Sequence, residues 1–389
     1  MKSSFGKKVD TANLHIYPAS MKHETRILKE TKSLAGSGLF NKIYIVGIWE
    51  RGTKEHEKLD SKIEVWRVPL RSHNISNGSI GKIIKYTEWQ LRIFFRFKKE
   101  NITFINCHCL STLPIGFFFK MFLKSKLVYD THELETEVIG SAGIRKKIAQ
   151  VVEKLLIPFA DIIFVVSDSI ANWYKNQYNL QEVHIMRNIP NKHINESEIS
   201  DILKAKFSVQ EDEILFVYQG LLSEGRGIEI LLNVFSKVDK KKHVVFMGFG
   251  ELKGLIQEFE KNFSNIHLHP PVTPDKVIPY TKSADVGISL IENICLSYYY
   301  SLPNKIFEYI LSGLPLIVSD FPDMGKIVDE CKCGWKVRVD EKTVMDLVNN
   351  ISKEDVQEKR SNVINCMDNF RWEEEEEKLL GAYNSMLNK

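Results

Sequence analysis

The stretch SLPNKIFEYILSGLPLIVSD, residues 301–320, sets Lys305 and Glu308 three positions apart on one short helix that Gly313 and Pro315 bring to an end. Phe307, Ile310 and Leu311 supply its buried stripe. Two readings of the pair stand open. Residues three apart share a helix face, so Lys305 and Glu308 could be surface ions worth about 0.3–0.5 kcal/mol together. Alternatively they serve a ligand, because the helix follows the strand DVGISL and starts at the sheet edge where folds of this kind bind anions. His132 raises the same question. It follows the strand KLVYD inside the run DTHE, with Asp130 and Glu133 as neighbours, and can be a structural ring or a proton carrier. Arg26 and Lys29, in MKHETRILKE behind the first strand, could meet an anionic acceptor or a diphosphate, or lie on a solvated helix face.

Other chemistries find little support. The six cysteines include no C-x-x-C pair, so reduced structural thiols are expected and a metal site is not. The run VVFMGFGELKG misses the third glycine of a dinucleotide-binding turn by one residue, and no Walker loop is present. With 53 basic against 50 acidic residues the net charge is +3, too small for a nucleic-acid binder, and no nucleic-acid partner is expected. The start holds no leader-like apolar run and the chain no stretch of about 18 uncharged apolar residues. A cytoplasmic location is the expectation.

These residues must be positioned by a larger architecture. Apolar content of 43% and charged content of 26% describe a globular protein, and 389 residues suit two domains. The first half alternates short apolar runs with amphipathic segments, which predicts parallel strands joined by crossover helices. Strands are expected at 13–17, 42–47, 64–68, 103–106, 126–129 and 161–166, and helices at 24–35, 81–98, 114–123 and 144–158. After the polar stretch RNIPNKHINESEISDILKAKF the alternation restarts with EILFVYQG. The expected fold class is α/β, with two doubly wound Rossmann-like domains facing a central cleft. They are placed at residues 1–195 and 196–370, with a closing helix over 371–389 packing back on the first.

The series YQG (218–220), GRGIEILL (225–232), MGFGEL (247–252), SADVGISL (283–290), PNKIFEYILSGLPLIVSD (303–320) and CGW (333–335) resembles, in order and spacing, the donor-binding domain of GT-B glycosyltransferases of family four. LVYDTHELETE (127–137), FADIIFVVSDSIANWY and IMRNIPN are similar to the acceptor domain of the same family. The likeness spans nearly the whole chain.

What the resemblance implies is transfer of a sugar from a nucleotide-sugar, commonly with retention of anomeric configuration and without a metal or other cofactor. Negative charge builds on the departing diphosphate and must be neutralised. By resemblance, Arg226 stands where the family has the lysine of its KG pair and contacts that diphosphate. The second cation that often follows the first-strand glycine is missing, because Leu221 follows Gly220; Lys305 is the candidate replacement. Glu308 matches the second glutamate of the family's E-x7-E pattern, which accepts hydrogen bonds from the ribose hydroxyls, and Asn304 is a donor-side candidate at the start of the same helix. The first glutamate of that pattern falls at Tyr300, a departure that bears on the donor sugar. Tyr298, Tyr299 and Tyr300 could pack over the sugar or cap the loop, and Glu292 lies upstream in that loop. Backbone around Gly248 to Gly250 and at Pro271 and Val272 would form the base pocket. A family histidine at the position of His132 lies near the sugar and leaving phosphate, which puts Asp130, Glu133 and Arg26 on the acceptor side.

Two further segments, GKIIKYTEWQLRIFFRFKK (81–99) and FFFKMFLKSK (117–126), mix apolar and basic residues. Crossover helices packed on a sheet look like this, and so do helices that lie on anionic membranes. The expectation is a cytoplasmic transferase of bacterial surface polysaccharide or lipopolysaccharide synthesis, with a glycan or lipid-linked acceptor and peripheral contact with the inner membrane. Its rivals are a GT-B nucleotide-sugar epimerase and a catalytically silent nucleotide-sugar-binding subunit.

Overall fold

The computed structural model describes residues 11–191 and 201–387, other than 23, 77 and 141. The chain divides into two compact units. The first runs to Val166, resumes over Ile170–Met186 and takes in the chain from Glu376; the second holds Ser167–Ser169 and Arg187–Glu375. The boundary expected at 195/196 lies outside the described residues, and the division falls after Met186.

The first unit carries β1 (Ala12–Ile16), β2 (Lys42–Ile48), β3 (His56–Lys58), β4 (Ile63–Val68), β5 (Ile102–Cys107), β6 (Lys126–Asp130), β7 (Ile162–Val165) and β8 (His184–Ile185). Their order is β3-β4-β2-β1-β5-β6-β7-β8, with every neighbour pair parallel except β3 and β4 at the edge. Helices α1 (Thr25–Gly36), α2 (Ser79–Phe97), α3 (Leu113–Leu123), α4 (Gly143–Leu156) and α5 (Asp168–Tyr178) make the crossovers. Parallel strands are covered on both faces, which is why β1 and β7 are buried along their whole length. The sequence pattern missed β3 (HEK) and β8 (HI), because two or three residues, mostly polar, carry no readable alternation.

The second unit carries β9 (Ile214–Leu221), β10 (Lys242–Phe249), β11 (Ile266–His269), β12 (Val286–Ser289), β13 (Leu316–Ser319) and β14 (Gly334–Val337), all parallel in the order β11-β10-β9-β12-β13-β14. Its helices are α6 (Ile202–Phe207), α7 (Ile228–Lys237), α8 (Lys253–Asn262), α9 (Pro274–Lys282), α10 (Leu296–Tyr299), α11 (Asn304–Leu311), α12 (Pro322–Cys331), α13 (Glu341–Asn350) and α14 (Lys353–Cys366); α15 (Trp372–Leu387) closes the chain. Alternate residues of β9 enter different cores: Ile214, Phe216 and Tyr218 one, Leu215 and Val217 the other. At the carboxyl ends of β9 and β10, Gly220 and Gly248 are paired so closely that a Cβ on Gly248 would stand 1.8 Å from the Gly220 carbonyl oxygen. Of α15, the part from Glu376 belongs to the first unit, where the Tyr383 ring packs on Phe40 and Phe104 and its hydroxyl donates to Asn106.

Candidate functional site

Two cations gather where β9 ends. Lys305, in the first turn of α11, is only 7% exposed, and its Nζ lies 3.7 Å from the centroid of the Tyr218 ring, beside Gly220. No hydrogen-bond acceptor meets that Nζ among the described residues. Burial pulls the Lys305 ammonium well below the ordinary lysine range, the nearby Arg226 pulls the same way, and Glu308 opposes them. Arg226 precedes Gly227, which opens α7 with φ +68°, where a Cβ would also meet Leu290 Cβ at 2.7 Å. The Arg226 guanidinium lies 5.6 Å over the Tyr298 ring, and its buried Nε likewise has no hydrogen-bond acceptor. Each cation thus rests on an aromatic face, a contact of about 0.5–2 kcal/mol. Each keeps donor capacity that an anion would satisfy more strongly.

The surface ion-pair reading of Lys305 and Glu308 fails on burial. Glu308 is half-buried and is held from another direction: its Oε2 accepts from Gln219 Nε2 at 2.5 Å. The Gln219 amide is fixed in turn, because its Oε1 accepts from the Thr281 hydroxyl and its backbone N–H donates to the Tyr309 hydroxyl (3.1 Å), which donates to the Ile288 carbonyl (3.0 Å). Gln219, Thr281 and Tyr218 were not singled out from sequence. Their signal was their place in YQG at the end of a strand and on the helix packed beside it.

Other donor-side candidates fall differently. Gly220 (φ +116°) and the buried Gly248 sit at the paired strand ends, and Gly250 follows, its backbone against Leu222. Val272 is partly exposed in the loop before α9, and Asn304 is exposed at the start of α11. The three tyrosines divide their work: Tyr298 underlies Arg226, Tyr299 packs on Phe321 with ring centroids 5.1 Å apart, and the Tyr300 carbonyl accepts from Ser167 Oγ at 3.2 Å. Glu292 braces the loop that presents Arg226, accepting from the Gly227 N–H (3.3 Å) and donating its own N–H to Gly225 (2.9 Å).

In the first unit the acceptor-side candidates form a buried network. Asp130 is 1% exposed and accepts from Arg26 Nε (3.0 Å) and Nη2 (2.6 Å), while its Oδ2 also meets His108 Nδ1 (2.9 Å) and His132 Nε2 (3.2 Å). Burial alone would raise the Asp130 carboxyl, but Arg26 and then His132 hold it well below the usual carboxylate range. Arg26 is itself buried, ion-paired also with Glu30 (2.9 Å) and donating to the Met186 carbonyl (2.8 Å). Arg26 therefore does not lie on a solvated helix face: with Asp130 it forms an internal ion pair that two histidines meet. His132 remains a quarter exposed at its side chain, so it is the member that can meet a ligand, and Glu133 is exposed. His15 continues the chain through His108, with His15 Nδ1 and His108 Nε2 2.9 Å apart. His15, Glu30 and His108, and His108, Asp130 and His132, bring three ligand-type atoms together, but the Arg26 guanidinium in the same network opposes a second positive charge. Glu135, which the sequence reading passed over, is pushed up to about 8 by burial, against the opposing hydrogen bond from the Leu110 N–H (3.2 Å).

Comparison with known proteins bears on the second unit first. Residues 213–353 match the family model described as glycosyl transferases group 1, and every donor-side residue named above falls inside that stretch. That stretch is a group 1 glycosyltransferase domain, and the chain is a glycosyltransferase. A relative in Kluyveromyces lactis, chitobiosyldiphosphodolichol beta-mannosyltransferase, is 21% identical over 366 residues, covering 85% of this chain and 80% of its own. Among solved structures, sucrose-phosphate synthase of Thermosynechococcus elongatus superposes with a TM-score of 0.79 at 14% identity, over 97% of this chain and 99% of that one. Anabaena HepE in complex with UDP-glucose gives 0.72 at 12% identity, over 96% and 99%. At such identities the structural likeness speaks for the fold, and the fold of this glycosyltransferase is GT-B.

Proposed function

We propose that this glycosyltransferase moves a sugar, with retention, from a nucleotide-sugar to a glycan or lipid-linked acceptor in bacterial surface polysaccharide synthesis, of the lipopolysaccharide kind. It would work at the cytoplasmic face of the inner membrane. The observation that carries the reading is the pair of buried donors without acceptors, Lys305 Nζ and Arg226 Nε, at the end of β9 with the braced carboxylate of Glu308 nearby. A diphosphate supplies what those donors lack. As an acceptor hydroxyl oxygen bonds the anomeric carbon, the bond from that carbon to the diphosphate oxygen breaks, the electron pair goes to the diphosphate oxygen where the two cations stabilise it, and the hydroxyl proton passes to the departing phosphate. A carboxylate accepts several hydrogen bonds at once, so Glu308 can take the two ribose hydroxyls while Gln219 holds it. Lys305 and Arg226 take the charge-neutralising part, so no metal cofactor is called for. Support for the donor class comes from the HepE complex with UDP-glucose, and for a lipid-linked glycan acceptor from the name of the Kluyveromyces relative. That name also specifies a beta-mannosyl product, so the anomeric outcome is the part to be measured directly.

The test combines a panel of UDP-, GDP- and ADP-sugars with lipid-linked and glycan acceptor fractions. Nucleoside diphosphate release is followed, and the product's anomeric configuration is read by NMR. The proposal expects a thermal shift with one nucleotide class, acceptor-dependent release that EDTA leaves unchanged, and a product of the donor's configuration. A thermal shift with no release from any pairing would favour the silent subunit, for which Tyr300 in place of the glutamate is the motive. No shift with any nucleotide-sugar sinks the donor reading.

A further inference from the structure

The crossover helices of the first unit show an inverted surface. In α4, Ile144 (75% exposed), Ile148 (57%), Val151 (55%) and Leu155 (63%) recur at intervals of four, three and four, so they form one apolar stripe, and it faces outward. The residue this helix buries is a glutamate: Glu153 is fully enclosed, accepting from the hydroxyls of Tyr129 (2.7 Å), Tyr174 (2.8 Å) and Tyr178 (2.6 Å). A crossover helix normally turns its apolar stripe to the sheet.

The neighbouring helices share the habit. α3 buries Ile115 and Phe119 but leaves Phe118, Met121 and Phe122 exposed. α2 buries Trp89, Ile93 and Phe97 on one side and exposes Ile80, Ile83, Leu91 and Phe95 on another. The three lie side by side, with α3 packed between α2 and α4 and Phe94 of α2 against Phe119 of α3 at 5.5 Å. Soluble monomers rarely leave so many large apolar side chains exposed on adjoining elements.

The charge around this surface is predominantly basic, with Glu100, Glu137 and Asp161 paired to Arg96, Lys146 and Lys120. Lys82, Lys98 and Lys99 lie on or beside α2, Lys124 follows α3, and Arg145, Lys147 and Lys154 lie on α4, all exposed. The two carboxylates of these helices both have partners. Glu153 is in the phenol cluster, and Glu88 accepts from the N–H groups of Arg71 and Ser72 (both 2.8 Å) and from Arg92 (2.7 Å). No helix among the described residues is long and apolar enough to cross a membrane.

We propose that α2, α3 and α4 form a docking face for an anionic lipid bilayer, the apolar stripes entering the acyl boundary and the lysines and arginines meeting the lipid phosphates. The excess of exposed lysine and arginine selects this occupant: a second copy of the chain would set predominantly basic surface against basic surface, whereas an anionic interface neutralises it. Long basic side chains can keep their charge at the headgroups while their stems lie along the apolar surface. The inference deepens the proposed lipid-linked acceptor and rests on it only for its purpose, since vesicle binding is read without donor or acceptor.

The test is flotation of the full chain with vesicles of phosphatidylcholine alone and of phosphatidylcholine with 30 mol% phosphatidylglycerol. Binding is expected to the anionic vesicles, at least tenfold weaker to the neutral ones, and reduced by salt but not abolished. The double variant Ile148→Ser, Leu155→Ser should cut binding at least tenfold, and Lys147→Glu, Lys154→Glu should do so for anionic vesicles only. All four positions are exposed, so the variants should melt with the wild type, which a thermal scan checks. Absence of binding to anionic vesicles, binding indifferent to the α4 variants, or a lipid-free dimer that the Ile148→Ser, Leu155→Ser variant breaks in light scattering would overturn the proposal. Loss of transfer activity with vesicle binding intact would instead indict the proposed function.

Discussion

Replacing Lys305 by methionine separates binding from folding more sharply than any other single change in this protein. In the unliganded protein the ammonium is buried without an acceptor and offset only by the Tyr218 ring. A buried polar group lacking a partner costs about 1–3 kcal/mol, against up to about 2 kcal/mol regained from a desolvated cation–π contact. Lys305→Met keeps the length and loses the charge, so unliganded stability should hold or rise by about 1 kcal/mol. Binding should move the other way. A hydrogen bond to a charged group is worth about 1.5–3 kcal/mol, so affinity for the nucleoside diphosphate should fall roughly 10- to 150-fold. The pH dependence adds a second readout. In the free protein Lys305 sits well below the ordinary value of 10.5, and a diphosphate beside it raises it again. Between those two values binding takes up a proton, so affinity falls as pH rises, by as much as about tenfold per unit. The folding linkage has the opposite slope: the unfolded chain binds the extra proton in that window, so unliganded stability rises with pH toward 10.5. Calorimetric titration with UDP, GDP and ADP in buffers of differing ionisation enthalpy measures affinity and proton uptake together, and urea melts give stability. If Lys305→Met binds within twofold of wild type with the same proton uptake, or loses more than about 2 kcal/mol of unliganded stability, the lysine is a structural element and the reasoning is wrong.

Gln219→Leu removes the donor that orients Glu308 and should raise the donor KM about tenfold or more with little change in kcat, because the ribose contact is uniform binding; steady-state kinetics decides it. Asp130→Ala removes the bidentate partner of the buried Arg26 guanidinium, leaving it Glu30 and the Met186 carbonyl, and takes the shared acceptor from His108 and His132; it should destabilise by about 1–3 kcal/mol in urea melts. Glu135, with its folded value near 8 above the unfolded value near 4.5, stabilises fully below pH 4.5 and loses that contribution as pH rises through 8. Glu135→Gln should therefore flatten the melting temperature across that interval.

Much of the architecture was legible because parallel sheets demand continuous apolar strands. The runs at Lys42–Ile48 and Val286–Ser289 could hardly be anything else, whereas β3 and β8 were too short to leave a pattern. The motif order likewise pointed to Arg226, Lys305 and Glu308 without any coordinates. What the pattern misjudged was environment. Arg26 and Asp130 are charged residues beside strand ends, which usually means access to ligand, yet they satisfy each other inside the first unit. Nothing in the spacing of residues 26 and 130 reveals a pairing that the sheet order creates.

Sequence by itself determined the period of the longer elements, the two-unit α/β plan and the chemical types at the strand ends, since these depend on local propensity and residue identity. Only the tertiary structure decided which groups are desolvated and which partners they find. It buried Lys305 over Tyr218 with no acceptor at its Nζ among the described residues, tied Glu308 to Gln219 across distant segments, and turned the apolar stripe of α4 outward. Burial and pairing are properties of packing between segments far apart in the chain, and a lysine's charge, reach and purpose follow from them.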